Sequence, residues 1–162
     1  MALDAYMKID GIAGESKDGG YGEWIEITGY NFGSSQSTTV TASSAGGAAS
    51  GRTRLTDFHV TKELDRASPK LLGASCAGQH LKQVTIALHR SGGEKVKYFE
   101  VVMDEVIISN FTQIAIDGIP FESIDFNYGR ITTTYVQQNR TDGTGGGNVI
   151  DGWDQIANKR MA

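Results

Sequence analysis

Apolar and polar residues alternate along most of this chain instead of recurring every three or four positions, which is the period of strands with one buried face. Asp4 to Ile9 reads as a first strand, followed by the turn sequence GIAGESKDGGYG. In EWIEITGYNF, Ile25 and Ile27 share one face and Trp24, Glu26 and Thr28 the other. Unbroken parity would carry Tyr30 and Phe32 outward, so a bulge is expected at Gly29, returning both rings to the core and leaving Asn31 outward with Thr28 and Glu26. Phe121 to Val136 behaves alike: Ile124, Phe126 and Tyr128 alternate, Gly129 intervenes, and Ile131, Thr133 and Tyr135 continue in the shifted phase. Two glycine-shifted strands predict a mainly β fold, a bent antiparallel β-barrel.

LTDFHVTKEL adds a strand with Phe58 and Val60 inward and Asp57, His59 and Thr61 outward, and RSGGEK joins QVTIALHR to KVKYFEVVMDEVII as a hairpin. In the last strand Tyr98, Val102 and Val106 fall on one parity, and Phe99, Val101, Met103 and Ile107 on the other. Such a strand needs cover on both faces, from the barrel core and from a helix or a neighbouring subunit.

One segment breaks the alternation. In VTKELDRASPKLLGASCAGQHL, Ser68 suits a helix N-cap, Pro69 the first helical position and Gly78 the stop, which predicts a short α-helix over about residues 69–77. Leu72 and Cys76 then lie four apart on a core-facing side, with Cys76 as a small hydrophobe. Gly78 stands between Cys76 and His80, so they do not form a thiol and imidazole dyad. Two stretches lack periodicity. Gly33 to Thr53 is a loop of small residues whose only charge is Arg52, suited to close contact with another surface or simply solvated. Beyond Gln138, NRTDGTGGGNVIDGWDQIANKRMA reads as a glycine-rich, flexible arm (residues 139–162) whose Trp153 and Ile156 could dock back.

Composition narrows the functional classes. The 162 residues suit one domain with a real core, and 21 glycines against two prolines suit many turns. Fifteen basic and nineteen acidic residues give a net charge of -4 with no basic stripe, which argues against nucleic acid. No apolar segment approaches membrane-spanning length, and Asp4, Lys8 and Asp10 interrupt any secretory signal, so the chain is expected to be made in the cytoplasm without one. His59, His80 and His89 sit on three elements without zinc spacing and read as exposed. Asp104 and Glu105, adjacent on a strand, are expected on opposite faces and not as a catalytic pair. The GESKD and TGGGN runs lack the phosphate-loop ending. The residues therefore point to no catalysis, metal or cofactor.

The motifs with most information are FHVTKELDRASPKLL followed by CAGQH, together with GESKD, ITGYNFGSSQS, KYFEVVMDEVIISNF and DFNYGRITTTYVQQ. In these the chain resembles the haemolysin-coregulated protein (Hcp) family of bacterial type VI secretion to about Val136. The resemblance implies a β-barrel with one helix that assembles into homo-hexameric rings, stacked into an exported tube. It also implies effector proteins held in the bore, and spike and sheath components as further partners. On that reading Glu26, Thr28 and Asn31 line the bore, and the small-residue loop, with Thr41, Ser43, Ser44 and Arg52, reaches the adjacent ring. A monomeric β-barrel binding module, a phage-type tail-tube protein and a small hydrolase with an unrecognised site are the alternatives.

Overall fold

A computed structural model describes residues 3–38, 51–91, 96–139 and 145–161 of the chain. The strands are β1 (Asp4–Ile9), β2 (Ile25–Ile27), β3 (Gly29–Asn31), β4 (Ser34–Ser35), β5 (Arg54–Leu55), β6 (Phe58–Glu63), β7 (Leu81–His89), β8 (Lys97–Ile114), β9 (Phe121–Gln138), β10 (Gly145–Asp154) and β11 (Lys159–Arg160), with the helix α1 (Ser68–Ala77) between β6 and β7. They form one large antiparallel sheet in the order β11-β10-β9-β8-β7-β1-β2, with β6 also on β9 and β3 on β6, while β4 and β5 pair separately.

The bend arises in the long hairpin. β8 and β9 have 18 residues each, and β9 pairs with β6 over Phe121–Phe126 but with β10 from Arg130 onward. Glu105 takes a left-handed backbone, φ 54°, in a register that places it across from Gly129. Inward parity changes on both strands there: Val101 and Met103 give way to Val106 and Ile108, while Ile124, Phe126 and Tyr128 give way to Ile131. The expected phase shift at Gly129 is thus present. The expected β8 with apolar residues on both faces is present in its first half, where Tyr98 and Val102 lie half-buried opposite Val101 and Met103, but the unforeseen kink at Glu105 turns Val106 inward and Ile107 outward.

At Thr28 and Gly29 the chain changes partner instead of bulging: β2 pairs with β1, β3 with β6, and Thr28 N–H donates to the Thr61 carbonyl at 2.8 Å. The hydrogen-bonded ladder does not close; this bent segment carries the wall across the gap. Tyr30 and Phe32 nonetheless return to the core, stacked on Phe58 with centroids at 5.5 and 5.0 Å.

The helix ends as expected at Gly78, φ 59°, whose N–H reaches the carbonyls of Ala74 and Ser75. Its rotation differs from the expectation. Ala67 is the N-cap, and Ser68 turns its hydroxyl inward to Glu122 Oε1 at 2.5 Å. Ser68, Leu71 and Ala74 therefore face the core, leaving Leu72 half exposed and Cys76 exposed. The anchor is a buried ion pair. Lys62 Nζ lies 2.6 Å from Glu122 Oε1 and 2.9 Å from Asp65 Oδ1, and donates to Ser68 Oγ at 3.1 Å. Gln113 Nε2 donates to Glu122 Oε2 at 2.8 Å. Burial pushes the Glu122 carboxyl up, but hydrogen bonds from Lys62, Ser68 and Gln113 outweigh it and hold the group below its ordinary value.

Three further expectations change. The C-terminal arm is not flexible over its described residues: β10 pairs with β9 from Asn148 opposite Val136 to Asp154 opposite Arg130, Trp153 packs on the core, and Arg160 grips Asp151, holding its carboxyl down at about 2. The small-residue loop is ordered at its ends, where β4 pairs with β5 and Gln36 Nε2 donates to Gly51 O at 2.6 Å. Thr41, Ser43 and Ser44 lie outside the described residues. Of the histidines only His80 is exposed; His89 is buried against Tyr6 and Tyr21, and His59 is half-buried beside Asp125.

Two predictions follow from this packing. Glu122→Ala, which leaves Lys62 buried without its main partner, is expected to cost about 3 to 5 kcal/mol, and Lys62→Met with Glu122→Leu to recover most of it, read by urea or thermal denaturation. Because the folded Glu122 value is depressed, its stabilisation is full above the ordinary carboxyl range and is lost as pH falls through the lower folded value, so the double variant should show a shallower acid limb. Gly152→Ala places a Cβ 2.6 Å from the Ile131 carbonyl oxygen, whereas Gly129→Ala meets the side-chain tips of Ile156 and Glu105 at 2.8 and 3.0 Å. Gly152→Ala should therefore lose about 1 to 3 kcal/mol and Gly129→Ala clearly less, measured the same way.

Candidate assembly surface

The kink in the hairpin leaves β3, β6, β9 and the second half of β8 side by side as a four-stranded wall. Register aligns Asn31 with His59, His59 with Asp125, and Asp125 with Asn110, one residue from each strand. The next row is Gly29, Thr61, Ser123 and Thr112. Strand alternation sends Phe58, Val60, Ile124, Phe126 and Ile108 into the core, so both rows belong to the opposite face. The face is held by its own polar contacts. His59 Nδ1 lies 2.5 Å from Asp125 Oδ1, and Thr28 and Thr61 hydroxyl oxygens are 3.0 Å apart. Ser109 Oγ donates to Asp57 Oδ2 at 2.6 Å, and Asn127 Nδ2 to Asp57 Oδ1 at 3.1 Å. Behind it, Tyr128 is buried with its hydroxyl on the Thr56 carbonyl at 2.8 Å, and burial with nearby Asp57 raises its value to about 12.

Of the residues singled out from the sequence, Thr28 and Asn31 join this face and are exposed. Glu26, also exposed, stands apart from the two rows: it lies across from Tyr6 of β1, on the near side of the partner change. Arg52 donates through Nη2 to the Gln155 carbonyl at 3.0 Å, tying the loop base to the C-terminal turn. His59, Asn110, Ser123 and Asp125 were not foreseen as one surface. The outward parity of Asp57, His59 and Thr61 was legible, but cross-strand register has no signature within one strand. Cys76 and His80 are both exposed, on either side of the helix stop. The expectation for Asp104 and Glu105 is corrected: the left-handed Glu105 brings both carboxylates toward Arg130, at 3.9 and 3.7 Å.

Both edges of the wall lack a strand partner among the described residues. β3 pairs only with β6, and β8 beyond Val106 pairs only with β9. Open edges with this much main-chain hydrogen-bonding capacity are sites for another chain unless they are covered.

The sequence matches the family model described as type VI secretion system effector, Hcp, over residues 6–135. Protein hcp1 of Pseudomonas aeruginosa is 31% identical over 157 residues, spanning 95% of this chain and 96% of that protein. Among solved structures, one described as a type six secretion system protein superposes with a TM-score of 0.91 at 31% identity, covering 99% of this chain and all of the other. Hcp1 from Salmonella typhimurium gives a TM-score of 0.81 at 26% identity over 99% of this chain and 100% of its own. With its bent sheet, its helix and its matching motifs, the chain belongs to the Hcp family, the tube component of type VI secretion systems.

Proposed function

We propose that six copies of this chain close a ring by pairing the free edge of β3 on one copy with the free edge of β8 on the next, so that the polar wall lines the bore. The observation that carries this reading is a four-stranded wall, polar on its exposed face and unpaired at both edges. Head-to-tail contacts between two different edges generate rings when the rotation closes, and closure removes the edges. The polar rows favour a lining that is wetted and weakly adhesive, able to hold an effector protein and still release it. Asn31, Thr28, His59 and Asp125 are the proposed contacts, with Glu26 nearer the rim. The loop containing Thr41, Ser43 and Ser44, anchored at its base by Arg52, is proposed to touch the adjacent ring. Spike and sheath components are the further partners, and the assembled tube leaves the cell. No catalytic step is assigned to the chain.

Native mass spectrometry at micromolar concentration should give six times the 17.4 kDa chain mass, and electron microscopy rings with an open centre. A strict monomer would contradict the ring. In rings that remain intact, Asn31→Arg should lower effector capture about tenfold or more by placing a bulky charge in the bore. Unchanged capture would move the cargo contact off this face.

A further inference from the structure

The tip of the β8–β9 hairpin is unusually apolar for a turn. Ile114, Ile116, Ile119 and Phe121 are 53, 86, 62 and 41% exposed, and Asp117 is the only charge from Ile114 to Phe121. Connecting turns are ordinarily polar, so a cluster of large apolar side chains in one marks a contact surface. The chain also has a groove of roughly 500 Å³ where the partner changes from β1 to β6 between β2 and β3. Leu3, Ile27 and Leu64 give it an apolar lining, and Glu15, Glu26 and Glu63 make it acidic.

Strand direction brings the two together between copies. β3, β6, β9 and β8 alternate in direction, so β8 runs antiparallel to β3 of its own copy and, in a rotational ring, to β3 of the next. The end of β8 at Ile114 therefore meets the start of the neighbouring β3 at Gly29. There the chain passes from Thr28, still bonded to Thr61 of β6, to Ile27 on β1, and the groove opens. Within one copy the base of the hairpin borders this site, with Phe121 paired to Glu63 and the Leu64 N–H on Pro120 O at 2.9 Å, yet Ile116, 86% exposed, is not seated in it.

We propose that the hairpin tip of one copy seats in the groove between β1, β2 and the end of β6 of the next copy, as an apolar plug within the ring. The inference rests on the ring reading above. A strongly apolar contact suits the permanent joint within a ring, since obligate interfaces are more hydrophobic than those that open and close. Asp117 is mismatched to the acidic groove, which weakens the joint and gives it a diagnostic handle.

The test uses the full chain in a Cys76→Ser background. Ile116→Cys combined with Glu26→Cys should, on oxidation of free rings, give a ladder of cross-linked species up to the hexamer, with neither single variant doing so. Ile116→Asp should raise the concentration at which rings dissociate about tenfold or more, and Asp117→Lys should lower it, with circular dichroism unchanged because both side chains are exposed. Intact rings that give no ladder and dissociate as the parent does would overturn the plug and leave the ring standing. A ladder that appears only in stacked tubes would also overturn it, by placing the tip against the next ring. A parent protein that stays monomeric overturns the ring reading itself.

Discussion

The constraint on which the rest of this structure depends is that two 18-residue strands must serve two sheets. No straight hairpin can pair with β7 and β10 at one end and with β6 at the other while keeping one face dry. The left-handed Glu105, in register with Gly129, solves this by shifting inward parity on both strands together. The first half of the hairpin then packs against the body of the fold, and the second half stands out as a wall. The same kink brings Asp104 and Glu105 toward Arg130, so charges that a regular strand would separate surround one guanidinium.

The buried Lys62 and Glu122 pair fixes the other half of the fold. It joins β6 to β9 and, through Ser68, sets the rotation of the helix. Two charges buried together contribute less to net stability than well-packed apolar groups can, but they penalise any arrangement that leaves one unpaired. That penalty explains why Leu71 and Ala74 are inside and why Leu72 and Cys76 are not. It also places α1 against β8.

Polar and apolar exposure are divided in a way that suits assembly. The wall exposes hydroxyls, amides and hydrogen-bonded groups such as His59 with Asp125, while Ile114, Ile116, Ile119 and Phe121 cluster uncovered at the hairpin tip. In the proposed ring a bore must let a protein slide, and a joint must not come apart. Those demands favour opposite chemistry, and one hairpin carries both: Asn110 and Ser123 on its stem, Ile116 and Ile119 at its end.

The sequence by itself determined the local rules. Period-two alternation placed Ile25, Ile27, Phe58, Val60, Ile124 and Phe126 inward, Gly129 marked the phase change, and Pro69 and Gly78 bounded the helix. The same motifs were specific enough to point to the Hcp family. Only the tertiary structure decided what depends on residues far apart in the chain. The glycine-rich tail has almost no pattern of its own and becomes a strand because β9 offers an edge, with Gly152 allowing the close approach. The helix rotation follows from Glu122, more than fifty residues away. Asn31, His59, Asp125 and Asn110 form a row only because antiparallel register aligns four strands. Alternation tells each residue which face it occupies, whereas register, which tells it what lies alongside, is set by the whole core at once.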